Sequence, residues 1–458
     1  MKKPLHLATA LLVTMTLSGI SFAAVTAEEA EQLGKNLTLW GAEKAGNAAG
    51  TIPPFTGGLP PTTTVPGWKK GSGRYEQSPY DDEKPLFSIT GVNMEKYKAN
   101  LTAGQIAMLK KYPDYRMDIY PTHRSIGMPD KIASFCKKNA INGKLTKSGD
   151  GITGAHSCVP FPIPKNGLEA QWNTQLKPLG GHYINVGFTS YYVDAKGRVT
   201  LLSRVGKMDV VNLYQDTSKD KLETPVFQRR MPYFTEPAAQ AGEVVLLWVS
   251  SDFDALKSPV WFYSPGQRRT RLAPEFSYDG LMAQFNGEVV WDAASGFQGR
   301  PDYFNWELVG KKEIYIPYNS NRKVYAPADK VTATKGFTNP DLERWELHRV
   351  WVVEMTLKPN KRHVDARRTL YIDEDTWAIS LADGYDHAGT LYRVVQQPIF
   401  PLWDHQTYYV MEDYINLIKG SYVTLGPHSP DDKMLVKDSK LVNLNKLTTT
   451  AMESSGVR

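Results

Sequence analysis

The segment Val159-Pro160-Phe161-Pro162-Ile163-Pro164-Lys165-Asn166-Gly167 divides the chain. Its three prolines alternate with apolar residues, so every second position has a fixed φ and no donor N–H. The residue before each proline is pushed towards extended geometry as well. Such a segment can be neither helix nor central strand. It reads as a stiff strap. Before it, glycine and proline are too frequent for long regular elements. After it, to about residue 425, strand-like runs rich in Trp and Tyr follow one another. The strap therefore joins a wrapping N-terminal arm with short helices, residues 24–158, to an antiparallel β body, residues 159–428.

In the body, residues 183–193 and 198–205 flank the turn Asp194-Ala195-Lys196-Gly197, a hairpin signal. Residues 244–249 and 259–263 are continuous apolar runs of strand length. Residues 347–357 alternate, with Leu347, Trp351, Val353, Met355 and Leu357 on one face and His348, Glu354 and Thr356 on the other. Four further runs, 367–372, 376–381, 390–396 and 407–416, continue at meander spacing. The expected architecture is one large, curved antiparallel sheet. The segment 429–458 is polar and lysine-rich, and reads as a loosely packed tail.

The arm carries large apolar residues at wide intervals, namely Trp40, Ile52, Phe55, Leu59 and Trp68, which suits docking onto the body. Asn93 can cap one helix, and Thr102-Ala103-Gly104-Gln105 fits a capping box for a second. A third helix is expected from about Asp130. It contains Cys136, one of only two cysteines; the other, Cys158, precedes the strap. In an exported protein an isolated pair is most simply a disulfide, worth about 3 kcal/mol for a loop of this size in the chain-entropy account.

Export is expected from residues 1–23, which read as a signal peptide. Lys2 and Lys3 form the basic start, an apolar run follows, and Ser21-Phe22-Ala23 supplies small residues for cleavage. No cysteine follows the run, so lipidation is not signalled. No later apolar stretch reaches the roughly 20 residues that span a bilayer. The expectation is a periplasmic protein that does not span the membrane. Its net charge of +6, or +4 without Lys2 and Lys3, is dispersed and gives no concentrated face for nucleic acid.

Catalytic and cofactor signatures are weak. Gly149-Asp150-Gly151-Ile152-Thr153-Gly154 matches G-x-G-x-x-G, but no strand precedes it and Pro160 follows soon after, so it reads as a loop. Asp373-Glu374-Asp375 and Asp383-Gly384-Tyr385-Asp386-His387 do not complete a calcium loop. Asp373 and Asp375 fall where one strand turns into the next. His348, His363, His387 and His405 show no metal-ligand spacing, and no G-x-S-x-G elbow is present. The reading is a non-enzyme without metal or cofactor.

Two stretches carry a resemblance. Trp261-Phe262-Tyr263-Ser264-Pro265-Gly266-Gln267-Arg268-Arg269-Thr270-Arg271-Leu272 resembles the strand, Tyr-x-Pro, basic turn and strand signature of the lipoprotein carriers LolA and LolB. Tyr371-Ile372-Asp373-Glu374-Asp375-Thr376-Trp377-Ala378-Ile379 with Asp386-His387-Ala388-Gly389-Thr390-Leu391 resembles a second hairpin of those carriers. Over nearly its full mature length the chain is also similar to a larger exported family of unknown function, related to outer-membrane lipoprotein sorting. That similarity lies in residues 41–47 and 50–59, in Pro121-Thr122-His123-Arg124 and in the strap. The resemblance implies an incomplete β-barrel with a helical lid and an apolar cavity. It further implies a hydrophobic ligand, such as a lipid or acyl chain, and work beside a resistance-nodulation-division (RND) type exporter or an outer-membrane protein. Trp248, Trp261, Tyr263, Trp291, Trp351, Tyr371, Trp377 and Tyr392 are the expected lining. The alternative is an accessory subunit that docks to an exporter and binds no ligand.

Overall fold

The computed structural model describes residues 25–179, 182–273, 278–282, 285–429, 431–437 and 443–455. The expected signal peptide lies outside them. The arm contributes β1 (Phe87–Thr90) and β2 (Arg116–Ile119), and the short pair β3 (Lys144–Leu145) and β4 (Ile152–Thr153) precedes the strap. A run of antiparallel hairpins follows: β5 (Tyr183–Val193), β6 (Val199–Asn212), β7 (Val226–Glu236), β8 (Val244–Ser250), β9 (Val260–Ser264) and β10 (Arg269–Leu272). Next come β11 (Phe304–Pro317), β12 (Trp345–Leu357), β13 (Arg367–Asp373), β14 (Ile379–Tyr385) and β15 (Leu391–Gln396). The chain then makes the separate hairpin β16 (Ile399–Leu402) and β17 (Thr407–Val410). It ends with β18 (Glu412–Asn416), β19 (Ser421–Gly426) and β20 (Met434–Lys437).

Sixteen of these strands form one sheet in the order β1-β2-β12-β13-β14-β15-β18-β19-β5-β6-β7-β8-β9-β10, with β11 also paired to β12 and β20 to β5. The sheet does not close, so the mainly β, incomplete-barrel expectation holds. Pairing is antiparallel except where β2 meets β12 at Ile119 and Trp345. The expected β5–β6 hairpin turns as its sequence dictates. Asp194 Oδ1 accepts from the N–H groups of Lys196 and Arg198 at 2.8 and 2.9 Å, and Gly197 takes a φ of +84°.

From β12 to β19 both faces of the sheet are packed. Val350, Val352 and Leu381 join one core with Ile89, Met108 and Met117 of the arm. Val353, Met355, Leu370, Ile372 and Trp377 join another with Trp40 and Ala42. The β12 alternation is therefore apolar on both faces, as expected of a strand buried on both sides. Leu347 packs in the first core, away from Val353 and Met355. The arm is docked where its sparse apolar residues suggested, with Trp40 and Ile52 buried. Gly41 lies against the strap, where a Cβ would overlap the Pro162 carbonyl, and its φ of +94° also calls for glycine.

The helices follow their caps. Thr102 and Gln105 make both bonds of the capping box at Ala103–Lys111. Asn93 does not cap: its side-chain oxygen accepts from Thr90 N at 2.8 Å, and the following element is a 3₁₀ helix, Met94–Asn100. Cys136, in the helix Asp130–Asn142, is bonded to Cys158, with the Cα atoms 5.1 Å apart.

The segment after Ser429 corrects the loose-tail expectation. β20 pairs with β5, and Met434 N donates to Gly73 O at 2.7 Å. The helix Thr449–Ser455 buries Met452, with Leu447 just before it, against Val244, Leu246 and Tyr263. Met434 and Val436 of β20 pack in a further core with Ile184 and Val186, so this polar segment docks through apolar residues at both of its ends.

Candidate ligand cavity

Strand alternation separates the β5–β9 part of the sheet into two unlike faces. The outer face carries Leu246, Trp248, Trp261 and Tyr263 under the C-terminal helix. The inner face carries Val186 and Phe188 of β5, Met208 of β6, Pro232 and Phe234 of β7, Val245 and Leu247 of β8, and Val260 and Phe262 of β9. These side chains line a cavity of about 410 Å³. That volume lies within the usual range of roughly 300–1,000 Å³ for small-molecule sites.

Two insertions cover the cavity. One is the excursion between β10 and β11, which contributes Met282, Phe285, Trp291, Ser295 and Gln298; the other is the end of the β16–β17 hairpin, with Tyr409 to Glu412. Among the described residues this cover contains no long helix; Trp291–Ala293 and Trp403–His405 are 3₁₀ turns. Buried polar contacts pin the excursion. Arg368 of β13 donates to Asp292 Oδ1 at 3.0 Å and to Gly296 O at 3.2 Å, and Asp365 holds the same guanidinium. The arginines Arg368 and Arg393 beside Asp365 keep its carboxyl well below the usual range despite burial. Ser295 Oγ donates to Glu412 at 2.8 Å and ties the excursion to β18. No residue of the arm lines the cavity among the described residues; Val65 and Tyr75 of the arm pack beside it, in a core with Ile184, Val186 and Val210 of β5 and β6.

The lining is apolar except at its ends. Glu243 and Gln240 stand at the β7–β8 turn. Arg230 lies four residues before Phe234 on β7, roughly 13 Å away at strand rise. It also borders a recess of about 80 Å³ beneath the helix Gly167–Gln175, where Lys177 stands. Burial lowers the Arg230 pKa. Lys177 is pushed down to about 8, first by burial and further by Arg230, with Glu412 opposing. Burial raises the Tyr409 hydroxyl to about 12.

Of the eight expected lining aromatics, Trp291 borders the cavity, and Trp248 with Trp291 borders a neighbouring space of about 50 Å³. Trp248, Trp261 and Tyr263 belong to the outer face, where Arg229 lies 4.2 Å from the Trp248 ring centroid. Trp351 and Trp377 stack at 6.1 Å in the packed part of the sheet, and Trp377 Nε1 donates to Trp40 O at 2.9 Å. Tyr371 is buried beside Asp383 and Tyr392 donates to Asp365. The missed lining, Val260 and Phe262 among it, occupies the opposite parity to Trp261 and Tyr263 on the same strand.

A second cluster deserves comparison. His348, Asp373 and Asp375 could each offer a ligand atom, all within 4.8 Å of one another. Arg124 already holds Asp375 through both carboxylate oxygens at 2.6 and 2.8 Å, and His348 Nε2 lies 3.2 Å from Glu346. Burial and the neighbouring Asp375 push Asp373 up to about 7. Arginine supplies the positive charge here, and the cluster reads as a structural network joining the arm to the β13–β14 turn.

An uncharacterized protein of Pseudomonas aeruginosa is 39% identical over 458 residues, covering 99% of this chain and 97% of the relative. Among solved structures, a domain described as an outer-membrane lipoprotein-sorting protein from Vibrio parahaemolyticus aligns with a TM-score of 0.42 at 11% identity, over 63% of this chain and 98% of that one. A DUF1329 family protein from Desulfovibrio piger aligns with a TM-score of 0.39 at 13% identity, over 59% and 92% of the two chains. A LolA superfamily protein from Nitrosomonas europaea gives 0.35 at 9% identity, over 62% and 98%. Residues 88–453 match the family described as "Protein of unknown function (DUF1329)", and the chain belongs to that family.

Proposed function

We propose that this protein is a periplasmic carrier for a hydrophobic molecule, a lipid or lipid-like compound in transit through the cell envelope. The carrying observation is the apolar cavity of about 410 Å³ on the inner face of β5–β9. Left dry, a void of that size would cost on the order of 10 kcal/mol at about 24 cal/mol per Å³, as much as many domains' whole stability. The space therefore holds solvent or a guest, and releasing water from apolar walls favours an apolar guest. Among the described residues the lining contains no histidine, cysteine or aspartate, which suits binding better than catalysis. An exporter of the RND type or an outer-membrane protein is the partner this reading calls for.

The test is native mass spectrometry of the mature protein from its own periplasm, with an organic extract of whatever accompanies it. A co-purifying hydrophobic molecule is expected. A clean apo mass that stays unchanged after incubation with a lipid extract would overturn the carrier, and would favour an accessory subunit that acts by docking alone.

A further inference from the structure

The polar end of the cavity narrows the chemistry of its guest, an argument that rests on the carrier reading. A purely hydrocarbon guest needs no cations along its wall. Arg230 nevertheless stands on that wall, and Lys177 stands in the adjoining recess that Arg230 also borders. Among the described residues the Arg230 guanidinium donates only to the Gln228 side chain, and Lys177 Nζ donates only to Thr174 O, at 2.7 Å. Neither has a carboxylate within ion-pairing distance in the described structure. An unpaired buried cation is costly unless something neutralises it.

The neighbouring groups leave this positive charge largely uncancelled. Glu412 borders the same recess, but its carboxylate is engaged by Ser295 Oγ at 2.8 Å and by the Tyr414 hydroxyl. Tyr409 adds a hydroxyl on the same wall. Two cations against one carboxylate leave an excess of one positive charge at this end. Glu243, the other acidic lining residue, stands at the opposite end by the β7–β8 turn.

We infer that the guest is an anionic amphiphile whose carboxylate or phosphate sits against Arg230 and Lys177, while its apolar chain runs past Met208, Leu247 and Phe262 towards Phe234. Guanidinium and ammonium donors bind such oxyanions by charge-assisted hydrogen bonds. The adjoining apolar walls make those bonds stronger than they would be in water.

The experiment compares palmitate, hexadecyl phosphate and methyl palmitate by competition against a fluorescent hydrophobic probe on the full mature chain. At least one anion is expected to bind ten-fold or more tightly than the ester, and whichever anion binds tighter identifies the head group. In Arg230→Gln and Lys177→Met the ratio of anion to ester affinity is expected to fall towards one. In Glu412→Gln it should rise, since a competing carboxylate is removed. Urea unfolding of each variant separates lost binding from lost folding. Equal affinity for anions and ester in the parent protein overturns the anionic guest and leaves the carrier standing. Failure of all three to bind overturns both.

Discussion

Two parts of one sheet solve the same burial problem in opposite ways. From β12 to β19 the strands are apolar on both faces, and the arm supplies partners for each, Ile89 and Met117 on one and Trp40 and Ala42 on the other. From β5 to β9 the outer face is covered by the C-terminal helix; the inner face is packed at β5 and β6 by Val65 and Tyr75 of the arm and by Phe400 and Trp403, and from there to β9 it meets only a roof held at its margins. Backbone pairing is continuous across both parts. What differs is whether something fills the space above the strands. Hollowness is therefore a property of the covering segments, and the strand sequences alone do not reveal it.

If that contrast is right, the largest effect should come from the packed part. Arg124→Met removes the guanidinium from buried Asp375 and Glu374. We expect a loss of about 3–5 kcal/mol, the usual cost of stranding a buried charge, read by urea unfolding. Earlier proteolysis of the arm should accompany it, and an unchanged midpoint would remove the network from the stability argument. Truncations should then divide by region. Met355→Ala, in the closed core, should cost about 2–5 kcal/mol. Val245→Ala, on the cavity wall, should cost under about 1 kcal/mol, because that side chain is only partly packed. Equal costs would mean that the cavity is not a space in solution.

Filling should act on binding more than on stability. Leu247→Trp places bulk inside the cavity and should abolish probe binding, at less than the roughly 1–3 kcal/mol that overpacking a full core costs. Destabilisation beyond that range would show that the wall is already close-packed. The smallest effect concerns pH. Lys177 loses its proton as pH rises through about 8, so anion affinity should fall above that value while ester affinity stays flat. Arg230, Glu412 and the Tyr409 hydroxyl, which burial raises to about 12, are the other polar groups beside it. A bound anion should move the fall to higher pH. Parallel profiles for both ligands would remove Lys177 from the head-group site.

Much of the frame was legible because it depends on local chemistry. The β5–β6 hairpin follows from Asp194 and Gly197, the second helix from Thr102 and Gln105, and the disulfide from there being only Cys136 and Cys158. The cavity was not legible, for two physical reasons. Aromatic richness marked Trp248, Trp261 and Tyr263, yet on these strands the aromatic parity is the one the C-terminal helix buries. Alternation splits a strand into two faces without saying which one remains uncovered. The cations are hidden more deeply. Arg230 follows Arg229 in sequence and looks like its neighbour, yet one lines the cavity and the other lies over Trp248. Lys177 reaches the same recess from a separate element, through a tertiary contact that no local spacing encodes.

The pairing that joins the two parts also bears on how the chain folds. β19 meets β5 with Gly426 opposite Thr189, residues more than two hundred positions apart. Closing a loop that long loses chain entropy before any contact compensates for it, so such pairings form late. We expect the β5–β6 and β13–β14 hairpins to gain amide protection early in refolding and the seam last, which pulsed hydrogen exchange can order. Simultaneous protection of all three would contradict this. Until the seam forms, β5 presents an unpaired edge to other chains. Aggregation during biogenesis, more than loss of the finished fold, is where mutations along β5 and β19 should first be felt.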